Sequence, residues 1–468
     1  MSQNRPTLRR ADPCRVGFIV DDKGARIEDH RALKLTEIRP VEDVLSNPAT
    51  QELITFIVAE ATRPATKEAG KEPPSGWLAS VPETLRHDIV ASVNYLMMLV
   101  AIDFRHWGEE EERNEGEIAS PARVGAPVHQ KNFYAVVDND NAGDSQHAEQ
   151  DRKDCPRLVR GSAAMVYLLK KAVDAANVMW YDPVQVVDAA RNGGGDSTRS
   201  SGTSVASSQP QPILSSAALL DLMWGVEEDG RTPMHMPAAA ERVQLLQTIS
   251  QALLDQGYVS FFHLVTGMRD TLPAVGKAQG LRLYSSPATT EEGDQPDGIM
   301  DRLLNLHSRY DDTSMLEIDP SPPSAGEQAG GSCTLTTIHF FKLAQLSIVA
   351  IQNAFPGVFD IVDIARLGVC SDYQLPKALR ACGLIHYKPA LSALVDGRVL
   401  LGVNSREEIE IRVSSTIAAK RLEEWINTHR LGEGGVRQCD AALMDYALWF
   451  FGRSNKSLHH HLCRTEMY

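Results

Sequence analysis

The sequence has few of the features that mark disulfide-bonded, zinc-binding or membrane proteins. Its seven cysteines are scattered, odd in number and form no C-x-x-C pair, so neither a disulfide framework nor a thiolate zinc site is indicated. The longest apolar runs, such as YLMMLVAI, are far shorter than a membrane span, and no apolar core of signal-peptide length follows the N-terminus. We therefore expect a soluble protein of the cytoplasm, with the nucleus as an alternative location, and no association with a membrane.

Positive charge is also scarce. The chain has 47 Lys and Arg residues against 61 Asp and Glu residues, which gives a formal net charge of -14. This balance would repel a phosphate backbone, so direct binding to long nucleic acid is not expected.

Common catalytic and nucleotide-binding motifs are missing as well. The sequence has no Walker loop, no G-x-G-x-x-G after a strand, no H-E-x-x-H and no G-x-S-x-G. Triphosphate hydrolysis, dinucleotide redox chemistry, zincin activity and serine hydrolase activity therefore lack support. Three adjacent histidines at 459–461 are weak evidence for a metal site.

Helical periodicity is the main pattern that the sequence does contain. Apolar residues recur at spacings of three and four in several segments, whereas alternating strand-type runs are few. These segments include 241–256, 337–355, 407–426 and 440–452. Stretches rich in Gly, Ser, Pro and acidic residues interrupt them and are predicted to be loops or disorder. They lie near 109–155, 191–212, 285–298 and 319–332. Because no helical block between the stretches has enough apolar helices to fold alone, we predict a mainly α protein, a single large helical domain with long low-complexity insertions.

Two of the helical segments carry a charged residue among apolar neighbours. Lys342 lies in HFFKLAQLSIVAIQNA, so it either meets a partner or ligand in the interior or reaches the surface along its aliphatic chain. Asp445 lies within DAALMDYALWFFG, more than one turn after the natural helix-start residue Asp440. An interior carboxylate either accepts hydrogen bonds from a neighbouring element or faces a pocket in which its charge is used.

Two further stretches place an acid beside aromatic residues. In LMMLVAIDFRHW a buried helix runs into Asp103, Phe104, His106 and Trp107, a set that either grips a planar base or is an ordinary helix end. In SDYQLPKAL, Asp372 stands just ahead of a short helix with a proline in its first turn. The residues alone favour a helix-capping role for this acid.

Eight stretches of the chain occur in an order that matches a known family. They are IDFRHW, RGSAAMVYLLKKAVDAA, ERVQLLQTISQALLDQGYVSFFHLV, FFKLAQL, SDYQLPKALRACGLIHY, EEIEIR, MDYALW and HHHLCRTEMY. Through them the chain resembles the queuosine salvage family, the queuosine 5′-phosphate N-glycosylase/hydrolase proteins. The resemblance implies a family domain over residues 37–468, after an N-terminal extension of residues 1–36, with one mostly helical fold similar to that of DNA glycosylases.

The reaction implied by the resemblance is hydrolysis of the N-glycosidic bond of queuosine 5′-monophosphate. The product queuine would then be reused in transfer RNA modification. No metal and no cofactor are implied. The alternatives are a non-catalytic helical protein that binds queuine or its nucleotide, and a glycosidase of another nucleoside or of damaged DNA.

The resemblance also implies roles for individual residues. Asp445 corresponds to the catalytic nucleophile or transition-state stabiliser, and Asp372 with Tyr373 corresponds to a base-binding pair, although the two acids could exchange roles. The other implied substrate contacts are Asp103, Phe104, His106 and Trp107 for the base, and His461, Arg464 and Lys342 for the 5′-phosphate.

The chain departs from the family pattern at several positions, and the aromatic residue that the family usually has after the GS of RGSAAM is missing. Asp103 stands where the family usually has asparagine, His106 replaces an aromatic residue, and Gln374 replaces the arginine of a D-Y-R motif. These changes affect the expected contacts to the substrate more than the expected reaction.

Overall fold

The computed structural model describes most of the chain. The described residues are 9, 11, 16–20, 26–27, 31–63, 76–106, 108–109, 124–125, 130–131, 134–137, 158–176, 178–192, 215–226, 230–268, 278–285, 297–320, 332–431 and 438–468. Trp107 and the greater part of each predicted insertion lie outside these ranges. Residues 135–137, which fall within the first predicted insertion, form a strand.

Helices dominate the described residues, so the prediction of a mainly helical protein is confirmed. The α-helices are α1 (Pro48–Thr62), α2 (Gly76–Ser80), α3 (Ile89–Ala101), α4 (Ser162–Ala176), α5 (Pro183–Asn192), α6 (Ser216–Asp221), α7 (Ala239–Asp255), α8 (Phe261–Thr266), α9 (Ile299–Leu306), α10 (Lys342–Ala354), α11 (Gln374–Ala381), α12 (Pro389–Asp396), α13 (Arg406–Ile426) and α14 (Ala441–Ser454). None of these helices combines the length and apolar character needed to span a bilayer.

Short strands connect and frame the helices. They are β1 (Thr36–Ile38), β2 (Gly108–Glu109), β3 (Gln130–Lys131), β4 (Ala135–Val137), β5 (Leu158–Arg160), β6 (Trp224–Val226), β7 (Pro233–His235), β8 (Ala278–Leu281), β9 (Thr313–Ile318), β10 (Thr334–His339), β11 (Phe359–Ile361), β12 (Ile385–Tyr387), β13 (Leu400–Leu401) and β14 (Leu462–Cys463). Strands β5-β4-β6-β7 form an antiparallel sheet, and the others pair as β1 with β12, β2 with β3, β8 with β11, β9 with β10, and β13 with β14. The pairs β8–β11 and β13–β14 are parallel.

Local sequence fixes the start of some helices but not of others. Asp88 and Asp440 accept hydrogen bonds from the first-turn amides of α3 and α14, which is the usual way in which an acid begins a helix. Helix α10 lacks such a residue, because Phe341 precedes it with a φ of 49°. This left-handed conformation is costly for a side chain of that size. The Lys342 amide instead donates to Asp312 Oδ2 over 3.3 Å, so α10 begins where a distant residue holds it.

Buried apolar side chains form two large groups and one small one. The first group is centred on α3, α4 and α7 to α10, and the second on α1 and α11 to α14. The small group joins β9 and β10 to one face of α13. Asp103 directly follows α3 and Lys342 opens α10, whereas Asp372 precedes α11 and Asp445 lies in α14. The residues of interest therefore come from both large groups, where the two meet.

Candidate active site

Three carboxylates at this junction lie within electrostatic range of one lysine. Asp372 raises the pKa of Asp445, Asp103 raises the pKa of Asp372, and the Lys342 ammonium lowers the pKa of all three carboxyls. Burial is the largest influence on each carboxyl, yet all three side chains keep some solvent exposure. That combination is expected of groups that line a recess. We call Asp103, Asp372, Asp445 and Lys342 the acidic recess.

Asp445 has the most perturbed carboxyl of the recess. Its Oδ1 accepts a hydrogen bond of 2.7 Å from the Cys370 amide, which ties α14 to the segment before α11. Burial and the charge of Asp372 raise the pKa of Asp445 to about 7, against the opposing effects of the Cys370 amide and Lys342. A carboxyl with a pKa near neutrality can change its protonation state during a reaction, and such groups are concentrated at active sites.

Asp372 both caps a helix and belongs to the recess. Its Oδ1 accepts from the amides of Gln374 at 2.6 Å and Leu375 at 3.1 Å, so the capping role that the residues favoured is present. Burial raises the pKa of Asp372, with Asp103 adding to the rise, while Lys342 and the two amides oppose it. Since the cap uses one carboxyl oxygen, Oδ2 is left for another contact.

The two capping amides allow a test of the structural role of Asp372. We expect Asp372→Ala to lower the free energy of unfolding by about 1 kcal/mol, because the bonds to Gln374 and Leu375 are lost. Asp372→Asn should be at least as stable as the wild type, because the amide oxygen can still cap α11 and a buried charge is removed. Chemical denaturation of the three proteins measures the difference. Equal stability of the alanine and asparagine variants would show that the cap contributes nothing.

Lys342 is the central cation of the recess. The residue is only 4% exposed, which excludes the alternative in which its side chain extends into open solvent. Its charge acts on the Cys370 thiol and on His106 as well as on the three carboxyls. A buried ammonium that faces several acids keeps them ionised more readily than burial alone would allow.

Asp103 and His106 form a hydrogen-bonded pair at the end of α3. Asp103 Oδ1 lies 2.7 Å from His106 Nε2. Burial alone would raise the pKa of Asp103, but the hydrogen bond and charge of His106, together with Lys342 and Arg242, hold it well below its usual value. Burial lowers the pKa of His106 despite the neighbouring carboxylate. Asp103 is therefore the recess carboxylate that is most firmly held in its charged form.

The predicted aromatic contacts have different surroundings. Phe104 is 2% exposed, and the guanidinium carbons of Arg242 and Arg309 lie 4.3 Å and 4.5 Å from its ring centroid. These two cation–π contacts hold the Phe104 ring in the interior. Tyr373 keeps some exposure, and its ring centroid lies 4.7 Å from that of His460.

The C-terminal residues predicted to bind phosphate differ in charge. Burial lowers the pKa of His461 to about 3, so its imidazole is neutral and does not supply a cation in this arrangement. Its Nε2 lies 3.0 Å from the hydroxyl of Tyr468, which donates to Glu408. Arg464 follows β14 and is partly exposed. Lys342 and Arg464 are the other two residues predicted to contact the phosphate.

Comparisons with known proteins find similarity in the C-terminal part of the chain. Residues 332–468 match the family model described as queuosine salvage protein. The chain is 30% identical over 139 residues to a queuosine 5′-phosphate N-glycosylase/hydrolase of Sphaerobacter thermophilus, and 28% identical over 137 residues to one of Bos taurus. Residues 332–468, which we call the salvage-family segment, are therefore similar to the queuosine salvage family.

The chain matches less than half of the length of these curated relatives. The matches cover 28% and 27% of this chain, and 40% of the length of each relative. The salvage-family segment contains Lys342, Asp372, Tyr373 and Asp445, together with His461 and Arg464. Asp103 and His106 come from the preceding part of the chain and reach the same recess through the packing of α3 against α10.

Two buried arginines were not predicted from the sequence. Arg242 is 0% exposed and donates to the carbonyls of Ile102, Phe104 and Arg105, which fixes the turn that carries Asp103. Arg412 is 1% exposed and lies in the EEIEIR stretch of α13. Both occupy apolar positions of periodic helices, so the signal that selected Lys342 and Asp445 would also have selected them.

Proposed function

We propose that this protein hydrolyses the N-glycosidic bond of queuosine 5′-monophosphate and releases queuine. The observation that carries the proposal is the placement of Asp445, a carboxyl inside helix α14 of the salvage-family segment that accepts the Cys370 amide at 2.7 Å. Burial and the charge of Asp372 raise its pKa to about 7. The curated relatives that share this segment are named for the same reaction. We propose with it that residues 37–468 form one domain with a fold similar to that of DNA glycosylases.

Cleavage of the bond between C1′ and the base creates positive charge on the ribose. A carboxylate beneath C1′ stabilises that oxocarbenium-like centre, as in other glycoside hydrolyses. In the proposal Asp445 is this carboxylate. Water supplies the hydroxyl that adds to C1′, and the departing base takes up a proton. Asp372 caps α11 with Oδ1 and, in the proposal, binds the base with Oδ2, together with Tyr373.

The chemistry of queuine suits an acidic recess. The base is a 7-deazaguanine with a side-chain amine that is cationic near neutral pH. Carboxylates bind such an ammonium through charge-assisted hydrogen bonds. Asp103 is available for this contact because His106, Lys342 and Arg242 keep it ionised. Lys342 and Arg464 are the proposed partners of the 5′-phosphate.

The direct test is incubation of the purified protein with queuosine 5′-monophosphate. We expect queuine to appear at a rate proportional to the protein concentration, as measured by chromatography with mass detection. If the protein binds the nucleotide and free queuine equally well and releases nothing, it is a binding protein rather than a hydrolase. Release from other nucleotides but not from queuosine 5′-monophosphate would assign a different substrate.

The pH dependence of turnover follows from the perturbed carboxyl. Because the pKa of Asp445 is raised to about 7, the carboxylate form required by the proposal increases as the pH rises through neutrality. We expect kcat/KM to increase between about pH 6 and pH 8, with half of the maximal value near pH 7. A profile that is flat over this interval, with a protein that stays folded throughout, would contradict the assignment of Asp445.

A further inference from the structure

We propose that the buried ion pair between Asp312 and Arg412 is a positioning unit that sets Lys342 against Asp372 and Asp445. Neither residue of the pair belongs to the recess itself. The activity readout of this proposal rests on the proposed function, whereas the placement of the pair and the titration of Asp445 do not.

The pair has a two-point geometry. Arg412 Nη1 donates to Asp312 Oδ1 over 2.9 Å, and Arg412 Nη2 donates to Asp312 Oδ2 over 2.5 Å. The side chains are 1% and 3% exposed. Two parallel hydrogen bonds between a planar guanidinium and a planar carboxylate fix orientation as well as distance.

Asp312 holds the start of α10 with its backbone and its side chain. Its carbonyl accepts hydrogen bonds from the amides of Phe340 at 2.8 Å and Phe341 at 3.2 Å. Its Oδ2 accepts the Lys342 amide at 3.3 Å. These contacts keep Phe341 at its unfavourable φ of 49° and so determine where Lys342 begins the helix.

Arg412 holds the segment that leads into α11. Its Nε donates to the carbonyl of Ser371 over 3.2 Å, and the Ser371 hydroxyl donates to the carbonyl of Arg412 over 3.1 Å. Ser371 lies between Cys370, whose amide binds Asp445, and Asp372. The Arg412 guanidinium thus connects Asp312, which holds Lys342, to the segment that holds Asp372 and Asp445.

The remaining neighbours of Arg412 enclose the pair. Glu408 Oε1 lies 3.5 Å from Arg412 Nη1, and the guanidinium carbon lies 3.8 Å and 4.5 Å from the ring centroids of Phe340 and Tyr468. The charges of Asp312 and Glu408 raise the pKa of Arg412 against the effect of burial, so it stays charged. His461, whose pKa Arg412 helps to lower, completes the surroundings.

Energetics also favour a positioning role. A buried ion pair loses so much hydration that apolar replacements of similar volume are often as stable or more stable. The gain in stability from the Asp312–Arg412 pair is therefore a weak reason for its presence. The two-point geometry, by contrast, fixes the position of Lys342 in one large apolar group relative to Asp372 and Asp445 in the other.

The test compares Arg412→Lys with Arg406→Lys in the same helix. Lysine keeps the charge but cannot make the two-point contact with Asp312. We expect Arg412→Lys to lower kcat about ten- to a hundredfold, as small misplacements of catalytic groups do. Arg406, which pairs with the buried Glu410 at 2.9 Å and contacts no residue of the recess, is the matched control, and its lysine variant should keep the wild-type kcat.

A second readout does not depend on activity. Carboxyl-carbon NMR titration should give Asp445 a higher pKa in Arg412→Lys than in the wild type, because Lys342 no longer lies in the position that lowers it. Asp312→Asn tests the pair from the other side if the arginine variant fails to fold. A folded variant of either residue with the wild-type kcat and the wild-type titration of Asp445 would overturn the proposal. A wild-type protein that releases no queuine would contradict the proposed function alone, and the titration would still decide the role of the pair.

Discussion

Replacing Asp445 by asparagine should lower the release of queuine by at least about 100- to 1,000-fold. The amide is nearly the same shape as the carboxylate and can still accept the hydrogen bond from Cys370, but it carries no charge to stabilise the ribose cation. The folded protein should be as stable as the wild type or more stable, because burial and Asp372 both disfavour the Asp445 charge. Single-turnover measurements of queuine release and a thermal unfolding scan check the two parts of this expectation.

A matched control for this substitution lies in the same helix. Asp440 begins α14, where its side chain accepts the Leu443 amide at 2.8 Å. Asparagine begins helices about as well as aspartate, so Asp440→Asn should keep both the activity and the stability. Retained activity in Asp445→Asn would transfer the catalytic role to Asp372, and the same measurement on Asp372→Asn would then show the large loss.

Removing the central cation should have the second largest effect. In Lys342→Met the pKa of each recess carboxyl rises, because the ammonium that lowers it is gone. The midpoint of the pH–rate profile should therefore move above pH 7, and kcat at neutral pH should fall about ten- to a hundredfold. Part of this loss should be recovered at higher pH, since Asp445 can still ionise there.

The profile also separates the possible roles of Lys342. Loss of a phosphate contact alone would raise KM for queuosine 5′-monophosphate without moving the pH midpoint of kcat/KM. An unchanged midpoint would therefore contradict the electrostatic role that we assign to Lys342. Lys456→Met is the control, because the exposed Lys456 donates to the carbonyl of Arg453 and is not among the groups that influence the recess carboxyls. It should behave as the wild type.

Local patterns in the sequence were enough to predict four of the helices and to single out two charged residues within them. Apolar periodicity predicted α7, α10, α13 and α14, and charged residues within such patterns singled out Lys342 and Asp445. The cap at Asp372 could also be predicted, because capping depends on neighbours only two and three residues away. The β5-β4-β6-β7 sheet could not, because its pairing joins short strands that are distant in sequence.

The surroundings of some predicted site residues depend on contacts between distant segments, which the sequence does not show. The sequence did not reveal that the Phe104 ring packs against two arginines, one from α7 and one from the turn after α9. His461 was expected to carry positive charge, but its burial beside Arg412 keeps it neutral. In both cases the burial and partners come from elements far away in the chain, which one stretch of sequence does not reveal.

The position of the acidic recess between two apolar groups has a consequence for folding. Asp103 comes from the first quarter of the chain and Asp445 from the end of it, so their encounter requires closure of a very long loop. Each apolar group can gather its own helices before the two dock, but docking alone brings Asp103 and Lys342 to Asp372 and Asp445. The recess is therefore among the last features to form as the chain folds. On a ribosome, the four residues of the recess could therefore meet only after α14 has emerged.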